Sequence, residues 1–474
     1  VSFRVLQVAM ELNPAVKVGG LADVVESLSR GLAERGHQVT VLLPAYRDLG
    51  LLPASGAEAA GLVFPWKGSR RRQELLPLAV PGQPARVRAL VDPVFSGRDG
   101  IYVDPRTGRD FPDAAERIAL FTRGAAALAR EERFDLVHLH DWQAALTPLW
   151  LRQEKTPAAT VLTIHNLGYQ GIFEPEAVAG LGLDTAPGSA LVSGARVNFM
   201  KAGILSVDAV TTVSPRYAQE MQLDPTFGAG LGDVLRSRAD GVHGILNGID
   251  VHTWNPRRDP QLAAPYDPEH LGGKRRNTAA LRQQVGLAES DRPVAGVVSR
   301  LSHQKGLDLV LAAAPELLSR GLDLVVLGSG DPALESGFRS LAAAHPRQAA
   351  YVSAFDEALA HRIQGGSDLF LMPSRYEPCG LTQMIAMRYG TVPVASGVGG
   401  LADTIRPAQE GEGTGFLFEP VTAASLVRAV EAALLAYRDR PRWERIMRAG
   451  MSLDFSVGRM IDGYEAVYRS AASA

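Results

Sequence analysis

A single cysteine, Cys379, stands in 474 residues. That excludes an intrachain disulfide and any cysteine-rich zinc site, and it fits a reducing compartment. No run of 18 apolar residues occurs and no basic segment precedes the first apolar stretch. Neither a membrane span nor an export signal is therefore expected, and the cytoplasm is the expected location. Charge of one sign is missing too: 49 Lys plus Arg oppose 51 Asp plus Glu, a net charge of -2. Such a chain has no global field for recruiting nucleic acid or an anionic membrane, and neither partner is expected. Any anion must be met by local groups. No repeat of 20 to 50 residues is present, which excludes a solenoid.

What is present is ordinary globular composition, 46% hydrophobic and 21% charged, at a length that suggests two to four domains. Short β-branched runs alternate with longer helical patterns, the mark of an α/β fold with parallel strands joined by crossover helices. The first half has such runs at 3–9, 39–43, 136–139, 160–164, 209–213 and 242–246. A second series starts afresh at 293–298, 322–327, 350–352, 369–372 and 392–395. Between them, 250–276 is polar and rich in Pro and Gly, so the domain boundary falls there. Residues 50–100 read as a long excursion from the first sheet, with Arg70, Arg71 and Arg72 as a solvated face.

Three segments carry anion and sugar chemistry. Lys17-Val18-Gly19-Gly20-Leu21-Ala22-Asp23 lies between the first strand and a helix expected at about 22–35. Gly19 and Gly20 admit close approach of a ligand to the backbone, the helix dipole favours an anion, and Lys17 adds a cation. Arg300 and Lys305 follow the first strand of the second half, where ligands of open α/β sheets bind. Glu377-Pro378-Cys379-Gly380-Leu381-Thr382 follows the strand at 369–372. A carboxylate there accepts sugar hydroxyls, and the amides of Gly380, Leu381 and Thr382 face a phosphate. Each segment also fits a plainer description as a turn, a helix-capping loop or a buried thiol. The sequence Val-Gly-Gly-Leu-Ala-Asp recurs at 398–403 and reads as recurrent turn chemistry rather than duplication.

His138 and His140 alternate onto one face of a strand, but their spacing matches no zinc-binding pattern. Asp141, His165 and Asn166, at strand ends, suit a ring of donors and acceptors around a hexose. No two aspartates are separated by one residue, so the Asp-x-Asp that often holds Mn²⁺ or Mg²⁺ against a diphosphate is absent. No metal and no cofactor is expected, and the charge of a leaving diphosphate falls to lysine, arginine and helix N-termini.

Six ordered motifs, at 17–23, 140–142, 165–171, 247–250, 299–306 and 377–383, resemble those of bacterial glycogen synthases and plant starch synthases. The resemblance covers nearly the whole chain. It implies the GT-B architecture: two Rossmann-like domains whose parallel sheets face each other across a cleft. The expected division is a first domain at 1–250, a linker at 251–272, a second domain at 273–454 and a helix at 455–474 that crosses back. It implies transfer of glucose from ADP-glucose to glycogen or another α-1,4-glucan with retained configuration. By that resemblance Lys17, Gly19 and Gly20 contact the sugar nucleotide, and Arg300 and Lys305 the diphosphate. Glu377 is the acidic residue needed for transfer, and Cys379, Gly380, Leu381 and Thr382 form the sugar and phosphate loop. Asp141, His165 and Asn166 match the glucose and acceptor side, Asn247 a neighbouring polar contact, Tyr102 an acceptor-side tyrosine and Phe355 an aromatic stacking on the base.

One other class competes. Gly328-Ser329-Gly330-Asp331-Pro332-Ala333 fits a relaxed dinucleotide fingerprint, although it follows the second strand of its half rather than the first. Other GT-B enzymes, a phosphorylase among them, and a non-enzymatic glucan-binding protein are nearer rivals; the last would be expected to lose the cations or Glu377.

Overall fold

The computed structural model describes residues 2–47, 49, 60–354, 356–408 and 412–473. They form two compact units, one made of 1–248 with 457–474 and the other of Ile249–Ser456. The chain thus passes between units at 248–249 and again at 456–457.

The first unit is built on a nine-stranded sheet. Arg4–Val8 lies in its middle, parallel to Gln38–Pro44 on one side and to Leu136–His140 on the other. Beyond Leu136–His140 come Ala159–Ile164, Ala209–Thr212 and His243–Gly244, all parallel. The chain order reverses direction across the sheet between Arg4–Val8 and Leu136–His140, and such a switch point opens a crevice at the carboxyl ends of the strands. These strands are buried on both faces, which is why they read as continuous apolar runs. Polar side chains interrupt that apolar interior, among them Gln7, His138, His140, Thr163 and Thr211, all fully buried. The helix Gly20–Glu34 turns Val24, Val25, Leu28 and Leu32 inward, the i, i+4 stripe that docks a helix on a sheet.

The second unit has a six-stranded parallel sheet in the order Ala349–Val352, Asp323–Leu327, Val294–Val298, Leu369–Met372, Val392–Ser396, Phe416–Phe418. This is the doubly wound order, with its switch point between Val294–Val298 and Leu369–Met372. The loops that leave those two strands carry Arg300, Lys305 and Glu377.

Two stretches differ from the expectation. Residues 60–91 are not a loose excursion. Arg86–Val91 extends the first sheet in parallel, and Ser69–Leu78 and Ala60–Trp66 add an antiparallel hairpin at its edge. Residues 251–272, expected as an interdomain connection, are fastened to the second unit. Trp254 stacks on His361 with ring centroids 3.8 Å apart. Asp259 Oδ2 accepts from Tyr389 Oη at 2.6 Å, and Tyr266 donates to the carbonyl of Tyr389 at 2.8 Å. The final helix, Val457–Ala471, is part of the first unit, where Met460, Ile461, Tyr464, Val467 and Tyr468 enter the core. Among the described residues no helix is long and apolar enough to cross a membrane.

Candidate active site

The carboxyl edge of the first sheet gathers most of the residues singled out there. Beyond the first strand comes Glu11, nearly fully buried, which sequence reading did not single out. Its Oε2 accepts the backbone N–H groups of Val18 at 2.6 Å and Gly19 at 3.0 Å, and its Oε1 accepts the Tyr102 hydroxyl at 2.5 Å. The Gly19 amide is therefore engaged by a carboxylate, and Lys17 Nζ is bonded to Asp23 at 2.8 Å. Gly20 opens the helix. A Cβ built on Gly19 would meet nothing within 4 Å, so that side of the loop is open. Burial and the neighbouring Glu11 push the Tyr102 hydroxyl well up from its ordinary value.

Asp141, in the left-handed region at φ 58°, ends the strand Leu136–His140. Its Oδ1 accepts the N–H groups of His165 at 2.7 Å and Asn166 at 3.3 Å, binding two strand ends together. Desolvation pushes its carboxyl up to about 7, against the downward pull of those two bonds. His165 Nε2 meets His140 Nδ1 at 2.9 Å, and His140 Nε2 meets Gln7 Oε1 at 2.6 Å. His138 is bonded through both nitrogens, to Tyr468 Oη at 2.7 Å and Thr163 Oγ1 at 2.6 Å. Burial holds His138 and His165 down at about 3 and His140 well below the usual value, so all three are neutral. The Oδ1 of Asn247 is buried and has no hydrogen-bond partner among the described residues. An unmatched buried acceptor costs about 1–3 kcal/mol unless a ligand supplies the proton.

In the second unit Lys305 Nζ holds both oxygens of Glu377, at 2.8 and 2.6 Å, and Ser374 Oγ donates to Glu377 Oε2 at 2.9 Å. Glycine makes this cluster possible. Gly306 follows Lys305 at φ 66°, and a Cβ there would sit 2.0 Å from the carbonyl oxygen of Pro373. The carbonyls of Glu377 and Cys379 are approached as closely by Gly399 and Gly400, where an added Cβ would lie 2.0 Å away. The repeated Val-Gly-Gly-Leu-Ala-Asp thus serves two ends: a loop capped by Glu11 in one unit, and a buttress behind Glu377 in the other. Cys379 is buried, Gly380 takes φ 73°, and Thr382 opens the helix Thr382–Arg388. Leu381 is its N-cap. Arg300 is exposed, and Phe355 lies outside the described residues.

The glycines of the dinucleotide-like stretch have a packing role. A Cβ on Gly328 would lie 1.8 Å from the carbonyl oxygen of Ser299, and one on Gly330 2.2 Å from that of Leu301. They let the Arg300 loop lie against the next strand's end.

Residues 4–237 match the starch synthase catalytic domain model, and 279–449 match the model of glycosyl transferases group 1. A glycogen synthase of Anaeromyxobacter dehalogenans (strain 2CP-C) is 47% identical over 482 residues, covering 99% of this chain and 100% of that protein. The chain belongs to the glycogen and starch synthase family. Glycogen synthase 2 of Bradyrhizobium diazoefficiens is 44% identical, with 98% of each chain covered. Among solved structures, the catalytic domain of starch synthase IV from Arabidopsis thaliana, bound to ADP and acarbose, superposes with a TM-score of 0.88 at 33% identity over 100% of both chains. A sucrose-phosphate synthase from Thermosynechococcus elongatus, 19% identical with a TM-score of 0.64 over 99% of each chain, shares the fold. The architecture is GT-B, and the family activity is glucosyl transfer onto a growing glucan.

Gln7, Glu11, Ser374 and Tyr468 escaped sequence reading. Gln7 left a signal, a lone amide inside the apolar run at 3–9. Tyr468 left none, because its partner His138 lies 330 positions away.

Proposed function

We propose that this chain transfers glucose from ADP-glucose to the non-reducing end of glycogen or a similar α-1,4-glucan, with retention of configuration, in the cytoplasm. The observation that carries the reading is the Lys305 and Glu377 pair with Ser374, held at the switch point of the second sheet next to the Arg300 loop. Cleavage of the bond between glucose and diphosphate builds negative charge on the leaving group. In this reading Arg300 and Lys305 are the cations that meet it. Glu377, fixed by two donors, accepts from hexose hydroxyls, and the loop of Cys379, Gly380, Leu381 and Thr382 lines the sugar and phosphate.

In the first unit, Asp141, His165, Asn166 and Asn247 serve the transferred glucose and Tyr102 the acceptor. Lys17, Gly19 and Gly20 contact the sugar nucleotide. For Gly19 this means a ligand that shares or displaces the Glu11 carboxylate. Nucleic acid and membrane play no part in this reading. ADP as the leaving nucleotide agrees with the ligand named for the plant structure.

The test is an assay of purified protein with ADP-glucose or UDP-glucose and glycogen, following nucleotide release and labelled polymer together. ADP release matched by label in glycogen is expected. Release without polymer label, or a preference for UDP-glucose, contradicts the reading.

A further inference from the structure

Around His165 the hydrogen bonds form one continuous line through the interior of the first unit. It runs from His165 Nε2 to His140 Nδ1 (2.9 Å), from His140 Nε2 to Gln7 Oε1 (2.6 Å) and from Gln7 Nε2 to Tyr468 Oη (3.4 Å). It goes on from Tyr468 Oη to His138 Nδ1 (2.7 Å), from His138 Nε2 to Thr163 Oγ1 (2.6 Å), from Thr163 Oγ1 to Thr211 Oγ1 (2.6 Å) and from Thr211 Oγ1 to the carbonyl of Leu162 (3.5 Å). Every side chain on it from Gln7 to Thr211, apart from His165 at its mouth, is fully buried.

Such a line has a direction, because each neutral imidazole and each hydroxyl has a single proton to give; Tyr464 Oη joins it at Thr163 Oγ1 (3.3 Å), whose second lone pair is free to accept. The Leu162 carbonyl can only accept, so Thr211 donates to it and receives from Thr163. Thr163 then receives from His138 Nε2–H. His138 Nδ1 must accept the Tyr468 proton, and Tyr468 accepts from the Gln7 amide nitrogen. That leaves Gln7 Oε1 to accept from His140 Nε2–H, and His140 Nδ1 to accept from His165 Nε2–H. The 2.6 Å contact between Gln7 and His140 agrees: it suits N–H···O and is too close for a bond between two nitrogens. The reverse direction would place two nitrogens at that short distance.

We infer that Gln7, with Tyr468 of the final helix behind it, is a positioning residue that locks His165 in the Nε2–H tautomer and presents its Nδ1 as a hydrogen-bond acceptor for a hydroxyl of the transferred hexose. This rests on the reading of His165 as a hexose contact. Gln7 acts through His140 and touches no substrate. The amide is the residue type the position requires: it receives on one end and gives on the other, so it passes the direction on without carrying charge. A final helix from the far end of the chain supplies the hydroxyl that fixes which way the amide faces.

The experiment reads nitrogen types by long-range ¹H–¹⁵N correlation in the full chain labelled with ¹⁵N-histidine, with His165 assigned from a His165→Gln spectrum. Native protein near neutral pH is expected to show His165 with a protonated Nε2 and a bare Nδ1. Gln7→Met, close in length but lacking both donor and acceptor, is expected to give tautomer-averaged His165 signals and leave His138 as it was. It should lower kcat about tenfold and leave KM for glycogen within about twofold, the size of one misplaced hydrogen bond. Tyr468→Phe, which frees the Gln7 amide to turn, should average the His165 signals as well. A protonated Nδ1 on native His165 overturns the inference, and so do unchanged His165 signals in both variants. The native spectrum needs no variant to fold and no turnover. Absence of transfer from ADP-glucose with the expected tautomer would count against the proposed substrate and leave the line of bonds standing.

Discussion

At the scale of single residues, the account turns on charges placed where charge will change. Lys305 is bound to Glu377 through both carboxylate oxygens, and the proposed function gives it a second task, to meet the departing diphosphate. Lys305→Ala should lower kcat by roughly 10² to 10³, about 3–4 kcal/mol, with KM for glycogen almost unmoved. An unchanged kcat with weakened glucan binding would move Lys305 to the acceptor path. Asp141 gives a prediction with a sign. Its folded-state value of about 7 stands above its ordinary 3.8, so the folded protein keeps a proton that the unfolded chain has released. The stability it contributes is complete below 3.8 and is lost as pH rises toward 7. Urea unfolding of native protein and Asp141→Asn at about pH 4 and about pH 8 should show the variant losing less stability across that interval. Equal losses would mean that Asp141 is ionised throughout. Much of this scale was legible: Lys305, Glu377, Asp141 and His165 sit in short motifs whose chemistry is local. Glu11 was not, because its role comes from the amides of Val18 and Gly19 and the hydroxyl of Tyr102, 91 positions away.

Elements show why the motifs need their glycines. Gly400 carries the loop of Glu377 and Cys379 on its bare Cα, donating its N–H to the Glu377 carbonyl at 3.1 Å, while an added Cβ would sit 2.0 Å from the Cys379 oxygen. Backbone cannot yield as a flexible side chain does. Gly400→Ala should cost about 1–3 kcal/mol of stability by overpacking and lower kcat with it. Gly19→Ala is the contrast, since its backbone is extended and nothing lies within 4 Å of the new methyl. Its stability should stay within about 0.5 kcal/mol, and a fall in kcat/KM for the donor would report a ligand approaching the loop. Thermal melts and steady-state kinetics on both variants check the pair. A Gly400→Ala protein with native melting and turnover would remove the buttress, and a fully active Gly19→Ala would remove Gly19 from the donor contacts. The parallel strands were legible because burial on both faces leaves β-branched runs. The hairpin at 60–78 was passed over because its edge strands alternate and carry arginines. Its signal was the Lys67-Gly68 turn, with both residues at positive φ (47° and 75°), between two alternating runs.

For the whole molecule, two Rossmann-like units in one chain were legible from two series of strand runs, and GT-B from the order of six motifs. The attachment of 251–272 was not: its Pro- and Gly-rich composition reads as a connection, while Trp254, Asp259 and Tyr266 find partners about 100 or more positions away. At this scale the missing Asp-x-Asp makes its prediction. If Arg300 and Lys305 meet the diphosphate as proposed, chelator-treated protein should keep most of its transfer activity. Loss in EDTA restored by Mn²⁺ would contradict that. The central claim is retaining glucosyl transfer from ADP-glucose, and the most direct measurement is NMR of the first product from ADP-glucose and a short maltooligosaccharide, read before anomers can equilibrate. The account predicts ADP and a new α-1,4 linkage in equal amounts; a β anomeric signal on the added glucose, or ADP with free glucose and no longer chain, would contradict it.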